Sequence, residues 1–197
     1  MISRFTLLIL VLSSAGIVRA DLSAVPSGTY ALDDAHGYIT FTYTHLGFSN
    51  PRVGFNDFTT TLSLDNAAPE NSTVDVTIDA ASIDSRVPVF NEHLVGEDWF
   101  NTAEYPEITF RSTSIESTGD KSFDVNGELT IMGTTKPVTL NATINKAAEH
   151  PLRNVPAIGV SATTDILRSE WGLGGYVPAV SDEVRISIEV ELLKQSD

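Results

Sequence analysis

The stretch that decides the fold is HLVGEDWF (residues 93–100), followed closely by YPEITF (residues 105–110). The first part is typical of a short helical segment with apolar side chains, and the second begins an alternating strand after a Tyr-Pro break. Helical patterns are rare in the rest of the chain. One short helical plug, around residues 89–100, among many strands predicts a barrel with one covered end.

Apolar and polar residues alternate along about eight segments of the chain. This pattern gives every strand one apolar face and one wet face, as in an antiparallel sheet that is buried on one side. No helical pattern is long enough to connect parallel strands. The alternating segments are residues 39–44, 53–64, 73–79, 107–115, 122–131, 138–145, 158–166 and 184–192.

An apolar sheet face without a helical layer must be covered by closure into a barrel or by a second sheet. Strands of about ten residues reach about 33 Å, which favours an elongated barrel over a compact sandwich. Eight strands leave room for side chains alone or for one small ligand. Small inward candidates (Gly127, Ala142, Ala162 and Thr164) leave space that aromatic side chains or a ligand could fill, and periodicity does not decide between them.

The first twenty residues resemble a secretory leader rather than part of the fold. Arg4 precedes an apolar core, and Val18-Arg19-Ala20 fits the small-residue rule for cleavage after Ala20. An uncleaved anchor would need about 20 apolar residues, and polar residues interrupt this run. We therefore expect a leader over residues 1–20, a single domain over 21–197 and a periplasmic or secreted location.

The charge and the absence of cysteine exclude several classes of protein. The formal charge is −14, and loss of Arg4 and Arg19 with the leader lowers it to −16. A field of this sign repels nucleic acid and anionic lipid surfaces, so we expect neither nucleic-acid binding nor stable membrane insertion. Without cysteine there is no disulfide, thiol chemistry or lipid-modified cysteine anchor.

No motif for catalysis or metal binding is present in the sequence. The four histidines lack metal-ligand spacing, no Gly-x-Ser-x-Gly elbow occurs, and no carboxylate pair stands out as a hydrolase would require. We therefore predict a protein that is not an enzyme and that uses no metal and no cofactor.

Five phrases in order resemble the YceI-like family of secreted polyisoprenoid-binding proteins, from about Gly28 to Leu193. Three positions depart from the family pattern. Phe90 and Asn91 replace a common Arg-Asp pair, and Gly37 replaces a common serine. The phrases are YALD with His36 and ITF (residues 30–41), HLG with VGFNDF (45–58), SID, HLVGEDWF and YPEITF (82–110), GELTI with GTTKPV (127–138), and RSEWGL before DEV (168–184).

The resemblance implies a lipocalin-like barrel that binds a long isoprenoid lipid, a polyprenyl phosphate or a ubiquinone, in an apolar channel without catalysis. Each buried methylene contributes about 0.8 kcal/mol, so a prenyl tail needs no polar contact. Phe90 stands where the family often has arginine, and the absence of that positive charge favours a neutral head group. We therefore predict that the protein carries or stores this lipid, which is its bound ligand. The sequence does not decide between a monomer and a homodimer.

The expected binding residues are apolar residues on the inner faces of the predicted strands and in the helical plug. A charged head group would need a nearby arginine, because the rest of the surface is acidic. The predicted channel lining is Phe41, Tyr43, Phe58, Phe110 and Ile131; the predicted mouth is Leu94, Trp99, Phe100 and Trp171; the candidate head-group ligands are Arg52 and Arg168. Core packing is the alternative role for each aromatic residue, and a structural ion pair is the alternative for Arg168.

An alternative from another class is an extracellular β-sandwich module for adhesion or carbohydrate binding. Such a module would present exposed aromatic residues in a row on one sheet face. Here the aromatic residues fall on the apolar faces of the predicted strands. This distribution favours an interior ligand over a surface ligand.

Overall fold

The computed structural model describes residues 22–196, so the predicted leader and its cleavage after Ala20 lie outside the described residues. Within that range, the alternating segments form ten strands, and one α-helix, α1 (Pro88–Leu94), is present. The strands are β1 (Gly28–Thr42), β2 (Arg52–Phe55), β3 (Phe58–Leu64), β4 (Thr73–Asp79), β5 (Ile83–Asp84), β6 (Glu107–Ser117), β7 (Ser122–Ile131), β8 (Thr134–Glu149), β9 (Pro156–Leu167) and β10 (Glu183–Lys194).

The sheet closes on itself, which confirms the predicted antiparallel barrel. Consecutive strands from β6 to β10 pair as neighbours, and β10 then pairs with β1 along most of its length. β1 pairs on its other edge with β3 near its start and with β2 near its end. Eight strands therefore form the closed wall, with β2 and β5 as a short extension. A β-sandwich is wrong for this chain, because closure removes the two free edges of the sheet.

Residues 53–64, predicted as one strand, form two strands. The turn-forming pair Asn56 and Asp57 separates them, and both side chains are exposed. β2 pairs with the end of β1 and with β5, whereas β3 pairs with the start of β1 and with β4. The chain therefore changes its partners at this turn.

The helical plug is shorter than the predicted span of residues 89–100. Pro88 occupies the first turn of α1, where its missing N–H costs nothing, and the helix ends at Leu94. Gly96 and Asn101 then close a turn through a 2.9 Å backbone hydrogen bond, so the chain after α1 folds as successive turns. No helix within residues 22–196 is long and apolar enough to cross a membrane.

β1 contains a large bulge at the end of the barrel where the strand begins. Leu32 pairs with Leu192 and Gly37 with Val190, so four residues of β1 face one residue of β10. The bulge buries the Asp33 side chain, which is 6% exposed. Asp33 accepts hydrogen bonds from the Arg153 guanidinium at 3.2 Å and pairs with the His36 ring at 3.0 Å. These contacts hold the bulge closed around a buried charge.

Candidate functional site

One end of the barrel encloses an apolar cavity of about 390 Å³. The strands contribute alternate inward residues, and α1 with the following turns covers the end. The polar side chains of the lining, besides two tyrosines, are Thr40, His45, Thr164 and Arg168. The remaining lining is apolar: Ile39, Phe41, Leu46, Val53, Phe55, Val76, Ile78, Phe90, Leu94, Trp99, Phe100, Ile108, Phe110, Leu129, Ile131, Val138, Leu140, Ile166, Leu173, Ala179, Val180, Val184, Ile186 and Ile188.

The hollow occupies half of the barrel and is not a channel along its whole length. On β10, inward Ile186 and Ile188 line the cavity and are half-buried, whereas Val190 and Leu192 further along are fully buried. β8 shows the same change from half-buried Val138 and Leu140 to buried Ala142. We call these two regions the hollow half and the packed half.

Two phenylalanines facing two glycines separate the hollow half from the packed half. A Cβ atom on Gly127 would lie 2.3 Å from Cζ of Phe110, and one on Gly37 would lie 2.9 Å from Cζ of Phe58. Each ring therefore fills the space that a side chain at the facing position would take. We call Phe58, Phe110, Gly37 and Gly127 the waist of the barrel; Phe110 also lines the cavity as part of its floor.

Aromatic rings form much of the upper wall of the cavity. Phe55 contacts Phe41 at a centroid distance of 6.0 Å and Phe100 at 5.9 Å in an edge-to-face arrangement. Trp99 stacks on Tyr176 at 6.2 Å. Such pairs stabilise the wall by about 0.5–1.5 kcal/mol beyond their buried area, and they present flat apolar surfaces to a ligand.

The mouth of the cavity lies between two loops that are tied together by backbone hydrogen bonds. The Leu46 N–H donates to the Ala179 carbonyl at 2.9 Å, and the Ser181 N–H donates to the Thr44 carbonyl at 2.9 Å. Leu46 and Tyr176 both line the cavity and are 53% and 74% exposed, so they mark the opening. Both also have positive φ angles, of 52° and 63°. Left-handed backbone at bulky residues costs about 1–2 kcal/mol each, and such strain is concentrated at functional sites.

Arg168 is buried beside the mouth and binds backbone oxygens rather than a carboxylate. Its guanidinium donates to the carbonyls of Ser181, Gly175 and Val180 at 2.9, 2.9 and 3.1 Å, and also to that of Leu173. These charge-assisted bonds fix the loop that follows Trp171. Within the described residues, four of the five guanidinium N–H groups are bound, and Arg168 is part of the cavity lining.

The electrostatics around Arg168 follow from its burial. Burial lowers the pKa of the guanidinium, and the nearby charges of Asp182 and Tyr43 act in the opposite direction. Burial likewise raises the pKa of the Tyr43 hydroxyl. The pKa of Asp182 lies below its usual range, chiefly because the Ser169 hydroxyl and N–H donate to it. The cavity wall therefore places the Arg168 cation close to the Tyr43 hydroxyl.

The structure places most of the predicted site residues on the cavity wall. Phe41, Tyr43, Phe110 and Ile131 line it below the mouth, and the residues expected at the mouth, Leu94, Trp99 and Phe100, line it from the plug. Their role in binding a ligand stays a prediction.

Three predicted residues lie outside the cavity lining. Phe58 is buried at the waist against Gly37. Trp171 is 3% exposed and its indole N–H donates to the Leu129 carbonyl at 3.2 Å, so it packs behind the wall. Arg52 is exposed on the outer side of β2, because alternation from inward Val53 turns it away from the cavity.

Several lining residues were missed by the sequence analysis. Phe55, Ile186 and Ile188 belong to the alternating apolar sets and could have been chosen from that signal. Leu46 and Tyr176 lie in loops, where no periodicity identifies an inward side chain. The sequence signal for them is absent, and tertiary contacts alone bring them to the mouth.

Outside the cavity, one group of charged side chains within residues 22–196 has metal-ligand chemistry. Oxygens of Asp33 and Glu191 and a ring nitrogen of His36 lie within 4.8 Å of one another. Asp33 is already bound by His36 and Arg153, and Glu191 lies 3.7 Å from the His150 ring. We therefore interpret this group as the ion-pair network of the β1 bulge.

A surface site for carbohydrate would need a row of exposed aromatic residues on a sheet face. Among the described residues, the exposed aromatic side chains are Tyr38, Phe48 and Tyr176. Tyr38 lies on β1, whereas the other two lie in loops at the mouth. They form no row on one sheet, so the interior cavity is the stronger candidate.

Comparison with known proteins identifies relatives along most of the chain. Residues 30–192 match the YceI-like domain. A UPF0312 protein of Pseudomonas putida is 38% identical over 160 residues, which cover 81% of this chain and 82% of that protein. A UPF0312 protein of Pseudomonas fluorescens is 35% identical over 188 residues, covering 93% of this chain and 97% of that protein.

Solved structures share the same barrel. BcnA of Burkholderia cenocepacia superposes with a TM-score of 0.74 at 26% identity, covering 81% of this chain and 98% of that one. The YCEI protein of Campylobacter jejuni gives 0.71 at 30% identity, covering 78% and 90%. A polyisoprenoid binding domain from Saccharophagus degradans gives 0.65 at 13% identity, covering 86% and 100%, which is a likeness of fold alone.

Proposed function

Because the chain belongs to the YceI-like family, we propose that it is a non-catalytic carrier or store for an isoprenoid lipid held in the apolar cavity. The single observation that supports this most is the cavity itself. It is almost wholly apolar, covered by α1 and open at one mouth. A flexible hydrocarbon guest matches such a lining, because burial of each methylene contributes about 0.8 kcal/mol without any polar contact.

The cavity volume sets the length of chain that it can hold. An apolar cavity of about 150 Å³ holds one benzene molecule, so about 390 Å³ corresponds to about sixteen carbon atoms, or about three isoprene units. The sequence predicted a channel for a long chain, but the waist limits the hollow to half of the barrel. We propose that the cavity holds a tail of about three isoprene units, with the head group beside Arg168 near the mouth.

The polar groups of the wall favour a neutral head group such as a quinone. Arg168 has one unbound N–H within the described residues, and Tyr43 offers a hydroxyl, which together match carbonyl oxygens. A phosphate would need more positive charge than this. Arg52 lies on the outer surface and Arg111 is 79% exposed, 3.6 Å from Asp75, so neither serves the cavity.

The remaining parts of the proposal concern where the protein works. The predicted leader supports a periplasmic or secreted location, and the chain has no cysteine for a lipid anchor. A carrier there would move a prenyl lipid through water, with the tail shielded and without chemical change. We propose no reaction, because the cavity wall pairs no nucleophile with a base.

Thermal unfolding with two ligands of equal tail length tests the proposal and the head group together. Ubiquinone with three isoprene units should raise the Tm by about 5–10 °C at a hundredfold excess over Kd, since such binding adds about 2.7 kcal/mol. Farnesyl phosphate, which has the same tail, should raise it less. An equal rise would overturn the neutral head group, and no rise with either ligand would overturn the isoprenoid proposal.

A cavity-filling variant provides the matched control for that measurement. Val138→Phe places a ring in the cavity, whereas Thr143→Phe places the same ring on the exposed outer face of β8. We expect Val138→Phe to lose most of the Tm rise and Thr143→Phe to keep it. Native mass spectrometry should show the same difference as a bound mass that organic solvent removes.

A further inference from the structure

Large apolar side chains that are exposed to solvent are concentrated at the hollow end of the barrel. Tyr38 and Leu152 are the exceptions among the described residues: Tyr38 lies on the wall and Leu152 at the opposite end. The exposed apolar residues at the hollow end are Leu46, Phe48, Val87, Val89, Leu167, Tyr176 and Val177. Soluble proteins rarely expose apolar residues in such a group without a partner.

These residues surround the opening of the cavity. Leu46 and Tyr176 form the rim itself, and the backbone bonds between their loops hold Phe48 and Val177 beside them. Trp99 joins the rim to the plug by stacking on Tyr176. We call Leu46, Phe48, Val87, Val89, Tyr176 and Val177 the collar.

The collar also differs from the rest of the chain in charge. Residues 44–56, 85–91 and 171–181 contain none of the 26 acidic residues of the chain, and their charged side chains are Arg52 and Arg86. Asp57, Asp84, Glu92, Glu170 and Asp182 each lie next to one of these segments, and Glu97 and Asp98 lie in the turns after α1. A second copy of this chain is a poor partner for the collar, because two chains of net charge −14 repel each other.

We propose that the collar docks on the surface of a lipid bilayer and places the mouth of the cavity against the acyl region. Apolar and aromatic side chains enter the interfacial zone of a bilayer. Carboxylates would oppose this, and the collar has none. Because the chain as a whole is acidic, the bilayer that suits the collar is one of neutral, zwitterionic lipids. Docking of this kind rests on the proposed function, because its role would be to let the guest pass from the bilayer into the cavity.

Flotation with vesicles that contain no isoprenoid lipid tests docking separately from guest binding. The probe is a vesicle of phosphatidylcholine alone. Phe48 is 89% exposed and Val89 is 61% exposed, and neither lines the cavity, so their replacement leaves the guest site intact. We expect Phe48→Ser to lower the partition coefficient about tenfold and Val89→Ser to lower it severalfold.

Leu152→Ser is the matched control, because Leu152 is 84% exposed at the opposite end of the barrel. The partition coefficient of this variant should equal that of the unmodified protein. Failure of the unmodified protein to float with the vesicles, or equal losses in Phe48→Ser and Leu152→Ser, would overturn the inference.

Ligand binding in vesicle-free solution distinguishes a failure of bilayer docking from a failure of isoprenoid binding. Phe48→Ser should retain the Tm rise with ubiquinone added from ethanol and should take up the same ubiquinone from vesicles more slowly. Flotation without any ubiquinone binding would leave docking supported and overturn the isoprenoid proposal. Ubiquinone binding with no flotation would overturn docking alone.

Discussion

The two halves of the barrel share seven strands with the same alternating pattern, and β2 lines the hollow half on the side where β3 closes the packed half. Even so, side chains fill one half and leave the other hollow. β10 crosses both halves, with Ile188 in the hollow half and Leu192 in the packed half. The residues are equally apolar and differ in what lies opposite them. The difference teaches that closure of a barrel and filling of its interior are separate properties of the sequence.

Among the residues that the structure describes, each half also buries one charged residue, and the two are satisfied in different ways. In the packed half, Asp33 is bound by side chains of His36 and Arg153. At the hollow end, Arg168 is bound by backbone carbonyls of the loop that borders the mouth. The first arrangement stabilises the wall, whereas the second gives a defined shape to an opening.

The largest effect on stability is expected when an apolar side chain on either side of the waist is shortened to alanine. Leu192→Ala should lower the free energy of unfolding by about 2–5 kcal/mol, because it creates a void in a close-packed region. Ile188→Ala should cost about 1 kcal/mol, because its side chain already faces space and has fewer partner atoms. Urea unfolding monitored by tryptophan fluorescence measures both values.

The same pair should show the opposite order in ligand binding. Ile188→Ala removes part of the cavity wall and should weaken binding of a prenyl tail, whereas Leu192→Ala should leave it unchanged in the folded protein. Equal stability losses for the two variants would contradict the division of the barrel into hollow and packed halves.

The next largest effect on stability is expected when a methyl group is added to a glycine of the waist. Gly127→Ala should destabilise the protein by about 1–3 kcal/mol, because the new methyl group would lie 2.3 Å from Phe110 Cζ and 2.5 Å from the Arg111 carbonyl oxygen. Phe110→Leu in the same chain should recover part of that loss by vacating the space. A double-mutant cycle by urea unfolding measures this coupling. Strict additivity of the two changes would show that the ring and the glycine do not depend on each other.

The strands and their closure could be predicted because alternation is a local property. Each segment such as residues 122–131 shows its apolar face without reference to any other part of the chain. The break at Asn56 was missed, because the apolar pattern continues on both sides of it. β2 ends because the chain changes its pairing partners at this point, and strand pairing depends on distant parts of the chain.

The position of the hollow could not be predicted, because the same pattern runs through both halves. The waist arises from two glycines that face rings on other strands, and nothing in the sequence pairs Gly37 with Phe58. The two tryptophans make the same point. Trp99 lines the cavity while Trp171 is buried behind its wall, although both lie in family phrases.

The smallest effect is expected from pH and concerns the buried charge of the packed half. The hydrogen bond with His36 holds the pKa of Asp33 below its usual value; burial opposes this, and the Ala35 N–H and the Arg153 charge contribute further. An unfolded aspartate has a pKa of about 3.9, so as pH falls through that value the unfolded chain binds a proton before the folded chain does. Stability from Asp33 is therefore complete above this pH and is lost as pH falls through the folded pKa.

Asp33→Asn should accordingly be less stable than the unmodified protein at pH 7, and the difference should shrink as the pH is lowered below 4. Urea midpoints over this range measure it, with Asp34→Asn as the control for loss of one exposed charge. Glu191, which lies within 4.8 Å of the same group, is present in both variants. A difference that persists unchanged at low pH would mean that Asp33 acts through its shape and hydrogen bonds, and that the packed half does not depend on a buried charge.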